Sequence, residues 1–166
     1  MVDDIVRGKG YLTLGSRMKR IGELLQAEVQ LLMNEQNIPV QSSQYPLLAA
    51  LDENGPLAVG DLAEALGVSQ PGVTRSVSQL AGQGIVRVKQ GRKDQRMKIV
   101  SLSGRGRAVV QHGKEEIWPQ IETCLAQILS GRKGPLLEQL DALEDALARH
   151  PFSTGALNAG SENGDG

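Results

Sequence analysis

The chain has 166 residues, a net charge of −1 and 40% hydrophobic residues, which suits one domain with an added arm and excludes a disordered chain. Its four aromatic residues (Tyr11, Tyr45, Trp118 and Phe152) are too few for the ring platforms on which RNA or single strands stack. The single cysteine, Cys124, excludes an intrachain disulfide framework and a cysteine-rich zinc site.

Residues 11–34 read as a long amphipathic helix, because Met18, Ile21, Leu25, Val29 and Leu32 step by three and four. Asn37, Ile38 and Pro39 end it, since proline disfavours helix in the residue before it. A second helix is expected over 43–53, capped by Ser42 or Ser43, with Glu53-Asn54-Gly55-Pro56 as the following turn. Residues 59–66 form a short helix closed by Gly67. Ser69 then caps a helix over 70–82, with Pro71 in its first turn and Val73, Val77 and Leu80 inward. Helix, three-residue turn and helix make a helix-turn-helix.

The period then changes. Residues 85–89 and 98–102 are β-prone and flank the polar stretch 90–96, a β-hairpin pattern. Ser103 caps a long helix over 103–130, with Ile117, Ile121, Leu125 and Ile128 on one face and a kink expected near Trp118 from Pro119. Residues 130–135 form a turn. A last helix spans 135–148, and 151–166 is rich in Gly, Ser and Asn and reads as a disordered tail.

Charge is distributed unevenly. Residues 75–107 hold nine bases (Arg75, Arg87, Lys89, Arg92, Lys93, Arg96, Lys98, Arg105, Arg107) and one acid, Asp94, whereas 35–74 hold five acids and no base. A basic stripe is the footprint of a polyanion site. It coincides with the helix-turn-helix, whose second helix offers Ser69, Gln70, Gly72, Thr74, Arg75, Ser78 and Gln79 on its polar side. Such groups hydrogen-bond base edges and phosphates, and an α-helix fits the major groove. Arg92, Lys93 and Arg96 on the hairpin loop are placed to reach the adjacent minor groove or its phosphates.

Residues 59–102 resemble the winged helix of the MarR (multiple antibiotic resistance regulator) transcription factors. The stretches that carry the resemblance are Asp61-Leu62-Ala63-Glu64-Ala65-Leu66-Gly67-Val68-Ser69, Val73-Thr74-Arg75 through Leu80, and Gly84-Ile85-Val86. Asp94-Gln95-Arg96, Val100-Ser101-Leu102-Ser103 and Gly106 continue it, and with the flanking helices it covers about 11–149. The resemblance implies a mainly α (α+β) fold: a winged helix-turn-helix lobe with N- and C-terminal helical dimerisation arms. The domains are then an N-terminal dimerisation helix (1–35), the DNA-binding lobe (36–102), C-terminal dimerisation helices (103–150) and the tail (151–166). It further implies a homodimer on a palindromic operator in double-stranded DNA, acting as a repressor relieved by a small-molecule or stress signal. Arg96 would enter the minor groove, braced by Asp94. The expected DNA-binding set is Ser69, Gln70, Pro71, Thr74, Arg75, Ser78, Arg92, Lys93, Asp94 and Arg96. A small aromatic effector would sit between arm and lobe, lined by the first, second and fifth helices, with Tyr11, Arg17, Tyr45 and His112 as candidates; no effector site is assigned.

A dimer is also expected from the residues themselves, because the apolar stripes at both ends exceed what a small lobe can cover. The alternative to DNA binding is a winged helix that docks a protein partner; the basic segment argues against it, since interface cores are depleted in charge. No enzyme, cofactor or metal site is expected. His112, His150 and Cys124 lack ligand spacing, and Cys124 reads as inert packing. Gly104-Arg105-Gly106-Arg107 lacks the ending of a phosphate loop. Met18 and Met33 read as core. With no run of about 20 apolar residues and no basic-then-apolar leader before Asp3 and Asp4, a cytoplasmic location is expected.

Overall fold

The computed structural model describes residues 3–91, 97–129, 136, 138–140 and 143. The fold divides after Leu125 into Met1–Leu125 and Ala126–Gly166.

In the first unit, a short helix α1 (Ile5–Gly8) and a 3-10 turn (Gly10–Thr13) lead into α2 (Leu14–Glu35). Asp4 caps α1 through the Arg7 amide and pairs with Arg20 of α2 at 3.0 Å. The Arg20 guanidinium, with the Arg7 amide, holds the Asp4 carboxyl below its ordinary range. The expected α2 stripe is present but unevenly covered. Met33 is fully buried, and Val29 and Leu32 pack on the core. Met18, Ile21 and Leu25 are exposed instead, so Met18 is not core in the single chain. Asn37 ends the helix in the left-handed region (φ 54), while the Ile38 amide donates to the Met33 carbonyl at 2.9 Å.

Neither Ser42 nor Ser43 caps the second helix. Ser42–Gln44 form a 3-10 turn, and α3 (Tyr45–Asn54) follows with Gln44 at its cap position. Ser42 is occupied elsewhere. Its hydroxyl donates to the Gln26 carbonyl at 2.8 Å, and its amide donates to Gln30 Oε1 at 2.8 Å, so the turn is laced to α2.

A two-residue strand β1 (Leu57–Ala58) precedes α4 (Val59–Leu66); periodicity could not signal so short a strand. Asp61 accepts from the Ala58 amide at the start of α4, and Gly67 (φ 62) closes it. In α5 (Gln70–Gly82) Ser69 Oγ accepts from the Gly72 amide, Pro71 lies in the first turn, and Val73, Val77 and Leu80 are buried, all as expected. β2 (Val86–Gln90) and β3 (Lys98–Leu102) pair antiparallel, and β1 lies on the other edge of β3, giving the order β1-β3-β2. The Gly91 amide donates to the Met97 carbonyl at 2.8 Å and closes the base of the hairpin.

Ser103 caps α6 (Gly104–His112) through the Gly106 amide at 2.9 Å. The chain continues through a π turn (Gly113–Ile117) into α7 (Trp118–Leu129). The expected kink at Pro119 is thus taken up by a widened turn just before it. Pro119 supplies no amide and its ring crowds the preceding carbonyls, which the wider turn accommodates. Gly113 is required there, because a Cβ would fall on the Tyr45 hydroxyl.

In the second unit, Ala126–Leu129 end α7, and residues 136, 138–140 and 143 are helical. The remainder of the expected helix 135–148, the turn 130–135 and the tail 151–166 lie outside the described residues.

One core binds the first unit: Leu48 of α3, Leu62 of α4, Leu80 of α5, Ile85, Val100 of β3 and Val110 of α6 are all at most 1% exposed. Leu80→Ala leaves a hole at the back of α5 and is expected to cost about 2–5 kcal/mol, read by urea unfolding. Among the described residues, no helix is long and apolar enough to cross a membrane.

Candidate nucleic-acid interface

The exposed face of α5 carries Gln70, Pro71, Gly72, Thr74, Arg75, Ser78 and Gln79, with Ser69 at its start. Two hydroxyls are engaged with their own helix. Thr74 Oγ1 donates to the Gln70 carbonyl and Ser78 Oγ to the Thr74 carbonyl, each at 2.9 Å. Their oxygens therefore face outward as acceptors, while Arg75 supplies charged donors from the same face.

The start of α5 and the base of the hairpin meet. A cleft of about 370 Å³ is lined by Ala58, Val59, Gly60 and Asp61 of the α4 start, Gln70 and Thr74 of α5, and Met97 and Lys98 of β3. Strand register explains this. Lys98 alternates with Val100 and Leu102 on the inward face of β3, so its side chain emerges beside α5. Arg87 and Lys89 stand opposite Ser101 and Ile99 on the outer face.

The basic stripe divides in space. Arg105 Nη1 donates to the Gln83 carbonyl at 3.0 Å, at the C-terminal end of α5, where a cation complements the helix dipole. Arg107 Nη1 donates to the Leu102 carbonyl at 3.2 Å. Arg105 thus lies about 20 Å along α5 from Ser69. Both arginines brace the lobe, which sequence counting cannot tell from a ligand-facing charge. Arg92, Lys93, Asp94 and Arg96 lie outside the described residues.

Beside the lobe is an apolar cavity of about 220 Å³. It is lined by Val29 and Met33 of α2, Ser42, Tyr45 and Pro46 at the α3 start, and Ile117, Trp118 and Ile121 of the π turn and α7. Met33 is thus both core and cavity wall. Of the four effector candidates only Tyr45 reaches it; Tyr11 is 92% exposed. Tyr45 meets Trp118 edge-to-face at 5.7 Å and donates its hydroxyl to the Val110 carbonyl at 3.1 Å. Lys114 sits 5.7 Å over the Trp118 ring and pairs with Asp52 at 2.5 Å. Trp118 stands three residues before Ile121, a spacing that puts it close to the inward stripe of the same helix.

Burial pushes the Tyr45 phenol up to about 12 from 10.0, with the Asp52 charge adding to the effect. Below pH 10 its contribution to stability is fully present. Between pH 10 and about 12 the unfolded chain ionises first, and the contribution fades. Thermal melts should therefore show the stability advantage over Tyr45→Phe shrinking across that window.

Cys124 is exposed, so the expectation of inert packing does not hold in the single chain. Among the described residues no group of three His, Cys, Asp or Glu side chains could hold a metal ion.

A helix-turn-helix followed by a β-hairpin on a three-stranded sheet defines a winged helix. Residues 37–97 match the model of the MarR family. The chain is 29% identical over 128 residues to the HTH-type transcriptional regulator FarR of Neisseria gonorrhoeae, covering 75% of this chain and 86% of FarR. Its fold is similar to that of Bordetella bronchiseptica BpsR, whose DNA binding is regulated by 6-hydroxynicotinic acid (TM-score 0.63, 21% identity, 80% of this chain and 93% of BpsR). It is also similar to a mutant MarR from E. coli complexed with operator DNA (TM-score 0.58, 18% identity, 80% of this chain and 92% of that one).

Proposed function

We propose that the protein is a dimeric, sequence-specific DNA-binding regulator of transcription, a repressor relieved by a small molecule. The observation that carries this is the cleft in which Gln70 and Thr74 of α5 meet Met97 and Lys98 at the base of the hairpin. It sets the helix that would enter a major groove beside a strand leading to Arg92, Lys93 and Arg96. The DNA complex of the E. coli MarR mutant, on the same fold, supports the reading.

In this reading Ser69, Gln70, Pro71, Thr74, Arg75 and Ser78 line the major groove, and Arg96, braced by Asp94, takes the neighbouring minor groove with Arg92 and Lys93 on its phosphates. The arms 1–35 and 103–150 hold two lobes on a palindrome. The effector is a small, largely apolar ring compound in the Tyr45–Trp118 cavity, a reading that BpsR and its 6-hydroxynicotinic acid support.

A gel-shift series on the region upstream of the protein's own gene tests it. Arg75→Ala should weaken binding by about 1–3 kcal/mol if it pairs with a guanine. Arg96→Ala should weaken binding and blur any preference for A·T pairs. Affinity should fall steeply with salt. Wild-type binding by both variants would overturn the residue assignments, and salt-insensitive capture of a protein with no duplex bound would overturn the reading.

A further inference from the structure

Gln44 is 3% exposed and lies in the turn before α3, away from the face just described. Its amide is nonetheless joined to that face. The Gln41 backbone amide donates to Gln44 Oε1 at 3.1 Å, and Gln44 Nε2 donates to Gln79 Oε1 at 2.9 Å. A backbone amide can only donate, so Gln44 must turn its oxygen toward Gln41 and its NH2 toward Gln79. Gln79 must then accept, which leaves its own NH2 directed away from Gln44. Gln79 is exposed and lies one turn beyond Arg75 on the same face of α5. Among the described residues nothing accepts from Gln79 Nε2.

Gln44 is itself anchored. Ser42, which follows Gln41, is tied to Gln30 and Gln26, and Gln30 Nε2 also reaches Asn34 Oδ1 at 2.9 Å. The orientation of the Gln79 amide is thus set from α2 through a buried neighbour.

We propose that Gln44 is a positioning residue that presets Gln79 as a hydrogen-bond donor to DNA. The acceptor is a phosphate oxygen or an acceptor atom on a base edge in the major groove. This rests on the DNA-binding reading above and adds two residues to it, one of which touches no DNA.

The experiment is a fluorescence-polarisation titration of the full-length protein on a labelled duplex from its own upstream region. Gln79→Ala removes one donated bond and should weaken binding about 3- to 10-fold. Gln44→Glu can only accept, so it draws the Gln79 NH2 inward and turns the Gln79 oxygen toward the DNA; binding should fall about 10-fold or more. In the Gln79→Ala background, Gln44→Glu should change nothing further, an outcome that a general loss of structure would not give. If Gln44→Glu does not fold, Gln44→Met carries the same comparison, weakening binding only when Gln79 is present. A loss from Gln79→Ala that is uniform across base-substituted half-sites assigns the phosphate; a loss confined to one base pair assigns the base edge. Equal losses from Gln44→Glu with and without Gln79 would overturn the proposal and leave the DNA reading standing. Failure of the wild-type protein to bind any duplex would overturn both.

Discussion

Replacing Ile21 and Leu25 together with glutamate is expected to leave a folded monomer that binds a two-fold-symmetric duplex about 10²- to 10⁴-fold more weakly than the native protein. The stripe on α2 has two halves. Val29, Leu32 and Met33 are covered by the chain's own core, whereas Met18 is 36%, Leu25 42% and Ile21 45% exposed. Since Ile21 and Leu25 touch little within their own subunit, charging them should cost the single lobe almost nothing. Continuing an apolar face past the end of the core that uses it makes sense only if a second surface covers it. A second copy would cover it with the same face and would fix two winged lobes at one spacing, which is how a palindrome is read. Joining the lobes makes the second half-site an intramolecular partner, and the loss of that linkage sets the size of the effect. Sedimentation at the concentration used for binding checks the first half, and gel shift the second. A double variant that stays dimeric, or that binds as tightly, would show that the arm is not where subunits meet.

The same helix shows what a sequence discloses. The α2 stripe, the Gly67 and Ser69 signals around the turn, and the hairpin strands were all legible, because each is a local rule: a period, a left-handed residue, a side-chain oxygen offered to a free amide. β1 was not, since two residues carry no period and the strand exists only because β3 offers Val100 and Ile99 as partners. Ser42 looked like a cap and became a tie to α2, because a nearby helix supplied better partners than its own first turn. At the site the division is similar. That Ser69, Thr74 and Arg75 share one exposed helix face could be read from the sequence. Lys98 needed the strand register, and Arg105 and Arg107 needed the carbonyls they meet. The pairing of Gln44 with Gln79 spans 35 residues and leaves no trace in either segment alone.

Gly106→Ala should destabilise the lobe although it adds only one methyl group. The glycine lies in the first turn of α6, against the chain that leaves α5. A Cβ there would run into the Ile85 carbonyl oxygen, with the Ile85 carbonyl carbon at 3.2 Å and Leu102 Cδ2 at 3.3 Å. That carbonyl cannot step aside. It accepts from the Ser103 amide at 2.9 Å, while the Ser103 hydroxyl donates to the Gly84 carbonyl at 2.7 Å and accepts from the Gly106 amide at 2.9 Å. Three segments (the end of α5, the end of β3 and the start of α6) are thus locked across one residue without a side chain. Overpacking costs about 1–3 kcal/mol and more against rigid backbone. Alanine's better helix propensity returns about 1 kcal/mol. A net loss of about 2 kcal/mol corresponds to a melting point lower by about 4–8 °C for a chain of this length. Gly104→Ala, two residues earlier with open space around it, should be neutral or slightly stabilising and serves as the control. Because the strain falls where the hairpin is attached to α5, Gly106→Ala should also weaken duplex binding at temperatures where the protein remains folded. A variant as stable as the native protein would mean that this seam yields, and that the angle between hairpin and helix is not fixed by packing.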